Sequence, residues 1–431
     1  ATTVAPTVPR AETRPAMTNP PPDGTEDRPA LARATAVDGA KFAEAYWGRQ
    51  PLLTRADELA GPDGFRDLLS PEAVDELLSE RGLRTPFLRV ANKGKVLPAG
   101  SFTGGGGAGA EIGDQVQDDK VMQLYADGAT LVLQGLHRIW PPLIDYARRL
   151  GAELGQPLQV NAYLTPAGNK GFATHYDTHD VFVLQVDGTK RWRIHPPVLP
   201  DPLERQAWGG RADEVGAVAD GEPALDVVLH PGDALYLPRG WLHSAEAQGE
   251  RSLHLTFGVR ALTRYALVEE LLGLAAEDQR LRATLPYAID VADPAQLAPE
   301  LEQTVEALRD WLLTADPAAV AGRLRERAWR SRRPEPVKPL EQLAYAEGLT
   351  PDDAVTIRHG LFHQLHADGP EHVVLRLTGR TLRFPAFCEP ALRAALDGAA
   401  HRVSDLPGLD DEDRLVLARR LLREAVLVPA S

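Results

Sequence analysis

Apolar and polar positions divide the chain into stretches of different texture. Between Leu158 and Val259, short apolar or alternating runs ("LQVNAYLTP", "DVFVLQV", "KRWRIH", "DVVLHPGDALYLP", "SLHLTFGV") are separated by Gly, Pro and Asp turns. Alternation puts every second side chain on one face, so runs of this length and spacing predict an antiparallel sandwich or small barrel. One connection interrupts the rhythm. "ERQAWGGRADEVGAVADGEP", residues 204–223, reads as a long loop of the kind that carries function or moves. After Leu262, apolar residues recur at three- and four-residue spacing in "LTRYALVEELLGL", "LEQTVEALRDWLLTA" and "AVAGRLRERAWRS", which predicts helices. "RRPEPVKP" at 332–339 ends that pattern and reads as a linker. The remainder holds a hairpin, "HVVLRLTGRTLRFP", two helical segments, "EPALRAALDG" and "DDEDRLVLARRLLRE", and a short "AVLV" run. A small hairpin with helices suggests a winged-helix-like module.

Upstream, "KFAEAYWGRQPLLTR" (41–55) starts as an amphipathic helix and breaks at a proline. "SPEAVDELLSERG" (70–82) predicts a helix capped by Ser70 and stopped by Gly82, and "PFLRVANKGKVL" (86–97) is strand-like. "GGGGAG" (104–109) is a loop with no Lys-Ser/Thr after it, so it lacks the frame of a phosphate cradle. The first thirty residues are rich in Pro, Thr and Asp and read as a disordered tail. The expected division is a tail at 1–30, a catalytic domain at 31–261, a helical region at 262–337 and a winged-helix-like domain at 338–431.

Composition narrows the function classes. A length of 431 residues suits two or three domains, and 43% hydrophobic with 25% charged residues is an ordinary globular balance. A formal net charge of −14 opposes general nucleic-acid binding, which depends on neutralising phosphates. The Arg-rich "RLRERAWRSRR" (323–333) is read accordingly as a charged helix face and linker. The single cysteine, Cys388, excludes an internal disulfide and a thiolate metal cage, in keeping with a reducing cytoplasm. No apolar run approaches the roughly 18 residues of a membrane span, and no signal-peptide core is present.

The candidate chemistry lies in "ATHYDTHDVFVLQVDGTKRWRIHPP", residues 173–197, where His175, Asp177 and His179 occupy every second position. On a strand, His175 and Asp177 share a face. "HPGDALYLPRGWLHSAE" (230–246) supplies His243 after Pro-Gly-Asp and Pro-Arg-Gly turns. Two histidines and one carboxylate on one side of a metal, with open positions opposite, are the ligand set of non-haem Fe(II) oxygenases. On a regular strand each two-residue step advances about 6–7 Å. With metal–ligand bonds of about 2 Å, His179 is expected to stay out of the coordination. His254 is read as a core histidine or one supporting the site, and His195 and His230 as structural or solvated.

Asp187-Gly188 forms a hairpin turn, after which Lys190 opens the next strand. Oxygenases of this type use 2-oxoglutarate, whose distal carboxylate needs a cation when buried. Spacing alone leaves Lys190 open between that inward role and an exposed charge at a strand start.

These residues also carry a resemblance. "NAYLTPAGNKGFATHYDTHDVFVLQVDGTKRWRIHPP" together with "PGDALYLPRGWLHSA" closely resembles the JmjC-type ribosomal oxygenases, over roughly Tyr125 to Val259, and "FAEAYWGRQPLL" resembles the segment that precedes the family's core. The resemblance implies an α+β protein with a cupin-like double-stranded β-helix (jelly-roll) core, a helical dimerisation region and a C-terminal winged helix. It implies a dioxygenase using Fe(II), 2-oxoglutarate and O2 to hydroxylate an arginine or histidine of a ribosomal protein, acting as a homodimer. Carried over by position, His175, Asp177 and His243 match the iron ligands, and Lys190 the partner of the distal carboxylate, where many bacterial relatives have Arg. Asn161 and Thr256 match polar positions around the co-substrate, and Tyr163 a position on the substrate side. The rival readings are the same chemistry on a peptide or natural product, demethylation of a histone-like protein, and a winged-helix DNA-binding or scaffold protein with an inert cupin.

Overall fold

The computed structural model describes residues 28–59, 64–109, 111–169 and 173–430, so the tail expected at 1–30 lies outside the described residues as far as position 27. The protein is α+β. Counting strands of three or more residues, the first are β1 (Leu52–Thr54), β2 (Leu88–Asn92), β3 (Thr130–Leu133), β4 (Leu158–Thr165), β5 (Asp180–Asp187), β6 (Lys190–His195), β7 (Leu225–Leu229), β8 (Ala234–Leu237), β9 (Leu242–Ala247) and β10 (Ser252–Val259). The helices relevant here are α1 (Pro141–Leu154), α2 (Ala212–Ala219), α3 (Arg264–Ala275), α4 (Pro294–Leu312) and α5 (Pro317–Ser331). The chain forms two compact units, one from residues up to 71 and 165–254, the other from 72–164 and 255 onward.

The first unit holds two antiparallel three-strand arrangements. In one, Leu52 of β1 pairs with Tyr236 of β8, which pairs with Phe182 of β5. In the other, Val227 of β7 pairs with Trp192 of β6, which pairs with Ala245 of β9. Val181, Val183, Leu235 and Leu237 from the first and Trp192, Ile194 and Leu229 from the second form one buried cluster. That is the inward half of each alternating pattern, as expected for facing sheets. The other side of β5 and β8 is closed by Phe42, whose ring lies 5.0 Å from Tyr236 and 5.8 Å from Phe182. Phe42–Tyr46 is a single π-helical turn, shorter than the helix its periodicity predicts.

Two turns fix the register of this unit. Gly188 has φ +61°, and a side chain there would collide with the carbonyl of Arg251, so only glycine closes β5 onto β6 without strain. In the second turn, Gly232 has φ +93° and is followed by the buried Asp233. The Asp233 carboxylate accepts from Arg55 Nη1 (2.6 Å), the Ala56 N–H (3.0 Å) and the His230 N–H (2.9 Å), tying β1 to the β7–β8 turn.

The second unit contains β2, β3 and β4 in antiparallel order, with Leu88 opposite Leu133 and Val132 opposite Tyr163. α1 buries Tyr146 edge-on against Phe257 of β10, at 5.2 Å. α3, α4 and α5 follow, and Arg323 and Arg327 of α5 bond Glu270 and Glu269 of α3. Residues 332–338 are irregular, as the linker reading expects. Beyond them, α6 (Pro339–Gly348), β11 (Ala354–Ile357), β12 (His363–Asp368), β13 (His372–Leu377), β14 (Arg380–Pro385), α7 (Glu389–Ala395), α8 (Asp411–Arg423) and β15 (Leu427–Pro429) surround one core that includes Ala346, Val355, Leu375, Leu392, Leu421 and Leu427. β12, β13 and β14 form a three-stranded meander.

Replacing Asp233 by Ala strands three donors around a buried position. The variant is expected to lose about 2–3 kcal/mol of stability; an unchanged urea midpoint would remove this turn from the account of the fold.

Candidate metal centre

His175 does not lie on a continuous strand. It forms an isolated antiparallel bridge with His243, the His175 N–H donating to the His243 carbonyl (3.2 Å) and the His243 N–H to that of His175 (2.8 Å). The chain then leaves extended pairing, bends at Thr178 and His179, and enters β5 only at Asp180. The regular strand expected through 175–179 is therefore corrected to a bridge followed by a bend. The reason lies in the 236–240 segment. The Gly240 N–H donates to the Asp177 carbonyl (3.0 Å). The buried Asp180 carboxylate accepts from the Tyr236 hydroxyl (2.7 Å) and the Arg239 N–H (3.0 Å). These bonds outweigh the local preference for a regular strand. Burial raises the Asp180 pKa against the opposing pull of those donors.

Ligating atoms of His175, Asp177 and His243 lie within 4.8 Å of one another. His243 Nε2 is 3.7 Å from Asp177 Oδ2, and the two imidazole rings are 4.5 Å apart. His179 is outside this group. Each ligand histidine contacts a carbonyl two residues earlier: His175 Nδ1 with Ala173 O (2.7 Å) and His243 Nδ1 with Trp241 O (3.1 Å). A carbonyl only accepts, so the proton sits on Nδ1 and Nε2 keeps its lone pair for a metal. Burial, then the neighbouring His175, pushes the His243 pKa down to about 4, which keeps its imidazole neutral as ligation requires.

Tyr176, between two of these residues, points the opposite way. It is buried, its hydroxyl donates to Gln206 O (2.8 Å), and it packs with Leu242, Val215, Val218 and Trp208. The 204–223 insert is thus not a bare loop. It contains a turn at Trp208–Arg211 and α2, and it seats its apolar side on Tyr176. The Trp208 ring comes within 6.3 Å of His175.

Lys190 is 2% exposed, which removes the exposed-charge reading. Its Nζ donates to Thr165 Oγ1 (3.1 Å), and no carboxylate among the described residues pairs with it. Burial pulls its pKa down to about 7. Arg191, the next residue, turns outward to Asp226 (2.7 Å). His254 is buried with its ring 5.5 Å from Trp192, and its pKa falls well below the usual value through burial and the Lys190 charge. His195 is also buried, whereas His230 is exposed.

Asn161, Tyr163 and Thr256 are half-buried and belong to the second unit. Asn161 and Tyr163 share the β4 face of Thr165, and Thr256 shares the β10 face of His254. Asn161 Oδ1 also accepts from the Gly135 N–H (3.2 Å). Thr165, Asp180, Tyr236 and Trp208 were not singled out from the sequence. For Thr165 the signal was present, since it continues the alternation of Asn161 and Tyr163.

The donor set fits a metal bound by two imidazoles and one carboxylate, and the buried ammonium fits an anion beside it. Residues 145–267 match the JmjC domain family. The chain is 28% identical to ribosomal oxygenase 2 of Rattus norvegicus, over 90% of this chain and 88% of the rat protein. It is 41% identical to the bifunctional lysine-specific demethylase and histidyl-hydroxylase NO66 of Drosophila persimilis, over 30% of this chain and 19% of that protein. The crystal structure of E. coli ycfD superposes with a TM-score of 0.51 at 19% identity, covering 92% of this chain and 98% of that one, a likeness of fold.

The lysine sets a stability cost that can be measured. Its folded pKa, about 7, is below the unfolded value, so the unfolded chain holds the proton between the two and wild-type stability rises with pH across that window. At pH 6, metal-free Lys190→Met is expected to be more stable than wild type by up to about 4–5 kcal/mol, with the gap closing toward pH 10. Urea unfolding at both pH values checks this; a less stable variant at pH 6 would mean that the ammonium is already compensated.

Proposed function

We propose that this chain, a JmjC-domain protein of the ribosomal oxygenase family, is an Fe(II)- and 2-oxoglutarate-dependent oxygenase that hydroxylates an arginine or histidine side chain of a ribosomal protein. The observation that carries the reading is the convergence of His175, Asp177 and His243 in the same unit as a buried lysine with no carboxylate partner among the described residues. The names and extents of the relatives support it.

When bound, iron and 2-oxoglutarate supply the oxidant for C–H hydroxylation, with O2 consumed and succinate and CO2 released. The chain's own residues do the rest. His175, Asp177 and His243 would hold the metal, which would supply the redox chemistry there. The Lys190 ammonium takes the distal carboxylate of 2-oxoglutarate, with Thr165 steadying Nζ from the other side. By the positions they match in the family, Asn161 and Thr256 are assigned to the co-substrate and Tyr163 to the substrate side. The apolar walls exclude water and raise the worth of each charge inside. The −14 net charge favours encounter with a basic ribosomal protein in the cytoplasm. Among the described residues no helix is long and apolar enough to cross a membrane.

The remaining modules follow the same reading: 31–261 catalytic, 262–337 joining two copies, and 338–431 winged-helix-like. α4 presents Leu301, Val305 and Leu312 at helical spacing, and α3 presents Tyr265, Val268 and Leu272, each of the six more than a third exposed. Apolar stripes of this kind support burial against a second copy.

Intact masses of ribosomal proteins from cells with and without the gene identify the substrate. One protein is expected to lose a single oxygen on deletion, and also when Asp177→Ala replaces the wild type. A mass unchanged by deletion, with purified enzyme still forming succinate, moves the substrate to a peptide or other non-ribosomal molecule. Full activity of Asp177→Ala would sink the metal assignment. Light scattering of the purified chain should give twice the chain mass, and Val305→Asp should return it toward the monomer.

A further inference from the structure

We propose that the indole N–H of Trp192 donates a hydrogen bond to a carboxylate oxygen of the co-substrate, making it a second fixed contact between the metal ligands and Lys190. The inference rests on the 2-oxoglutarate reading above.

The register of β6 places the residue. Lys190, Trp192 and Ile194 alternate to the inward face. Ile194 lies opposite His243, Trp192 opposite Ala245, and Lys190 opposite Ala247. The Trp192 row is therefore the step between the metal-ligand row and the lysine row. Two alanines face the indole and the ammonium, so the β9 side leaves room where larger residues would fill it. The Trp192 ring lies 6.0 Å from the ring of His243, at the metal-ligand end of this stretch, and 5.5 Å from that of His254.

Its polar atom carries the argument. Trp192 is buried, and Nε1 has no acceptor among the described residues. Its neighbours in the cluster, Val181, Val183, Ile194, Leu235 and Leu237, offer only hydrocarbon. A buried N–H without an acceptor is a standing cost that a phenylalanine at the same place would not carry. Lys190 Nζ, two residues earlier on the same face, is a buried donor whose one partner among the described residues is a threonine hydroxyl. Two under-used donors on one strand face, beside a cluster of metal ligands, suit one anionic ligand with acceptors at both places.

The test uses the full chain loaded with redox-inert Zn(II) and labelled with 15N at the indoles. The chain has seven tryptophans, and the Trp192 signal is identified by its absence in Trp192→Phe. Adding 2-oxoglutarate is expected to move that one signal downfield. Trp192→Phe is expected to bind 2-oxoglutarate about tenfold more weakly, with Zn(II) affinity unchanged. A signal unmoved at saturating 2-oxoglutarate overturns the proposal and assigns the N–H to water, even while Lys190→Met abolishes binding. Should Trp192→Phe fail to fold, solvent-exchange protection of the wild-type indole with and without 2-oxoglutarate decides, and equal exchange rates overturn the proposal. Wild-type protein that takes no 2-oxoglutarate would instead remove the reading beneath it.

Discussion

Two backbone hydrogen bonds between His175 and His243 set the geometry of the site. The residues are distant in sequence, yet the bridge fixes their Cα atoms as a cross-strand pair, and the ligand rings follow. Asp177 is then placed by its own carbonyl, held by the Gly240 N–H, in the same turn that feeds His243 into β9. The Nδ1 contacts with Ala173 and Trp241 set the tautomers. Ligand positions and protonation states thus come from main-chain bonds, which are less adaptable than side-chain packing.

Around that bridge the protein accepts local costs that a purely structural design would avoid. Lys190 is buried with one hydroxyl partner, Asp180 is a buried carboxylate raised toward protonation, and the Trp192 N–H has no acceptor among the described residues. The three are not equivalent. Asp180 is satisfied by Tyr236 and Arg239 and shapes the bend, so its cost is offset within the fold. Those of Lys190 and Trp192 have no such offset among the described residues, and stability of this kind is commonly given up at sites built for binding.

Much of this was legible in the sequence. The ligand trio, the strand-rich 158–259 segment and the helices after 262 follow from alternation, turn residues and helical spacing, whereas spacing alone left Lys190 open between an inward and an exposed place. Three features were not. The break between Asp177 and β5 depends on Tyr236 and Arg239, some sixty residues away, and no local pattern reports such a bond. The helix within 204–223 is only eight residues long, so its periodicity is weak until Val215 finds Tyr176. The bond from Lys190 to Thr165 joins residues 25 apart, and although Thr165 continues the alternation of Asn161 and Tyr163, no local pattern reports that pairing.

The 204–223 insert has two faces under different rules. Its inner side is committed to Tyr176 and Leu242, and through them to the metal ligands on either side. Asp213, Ala217, Asp220 and Glu222 are exposed and bear no such load. This is the anatomy of a cassette. Substitutions on the outside leave the packing on Tyr176 and Leu242 untouched, so the outer face is free to vary while the anchor holds.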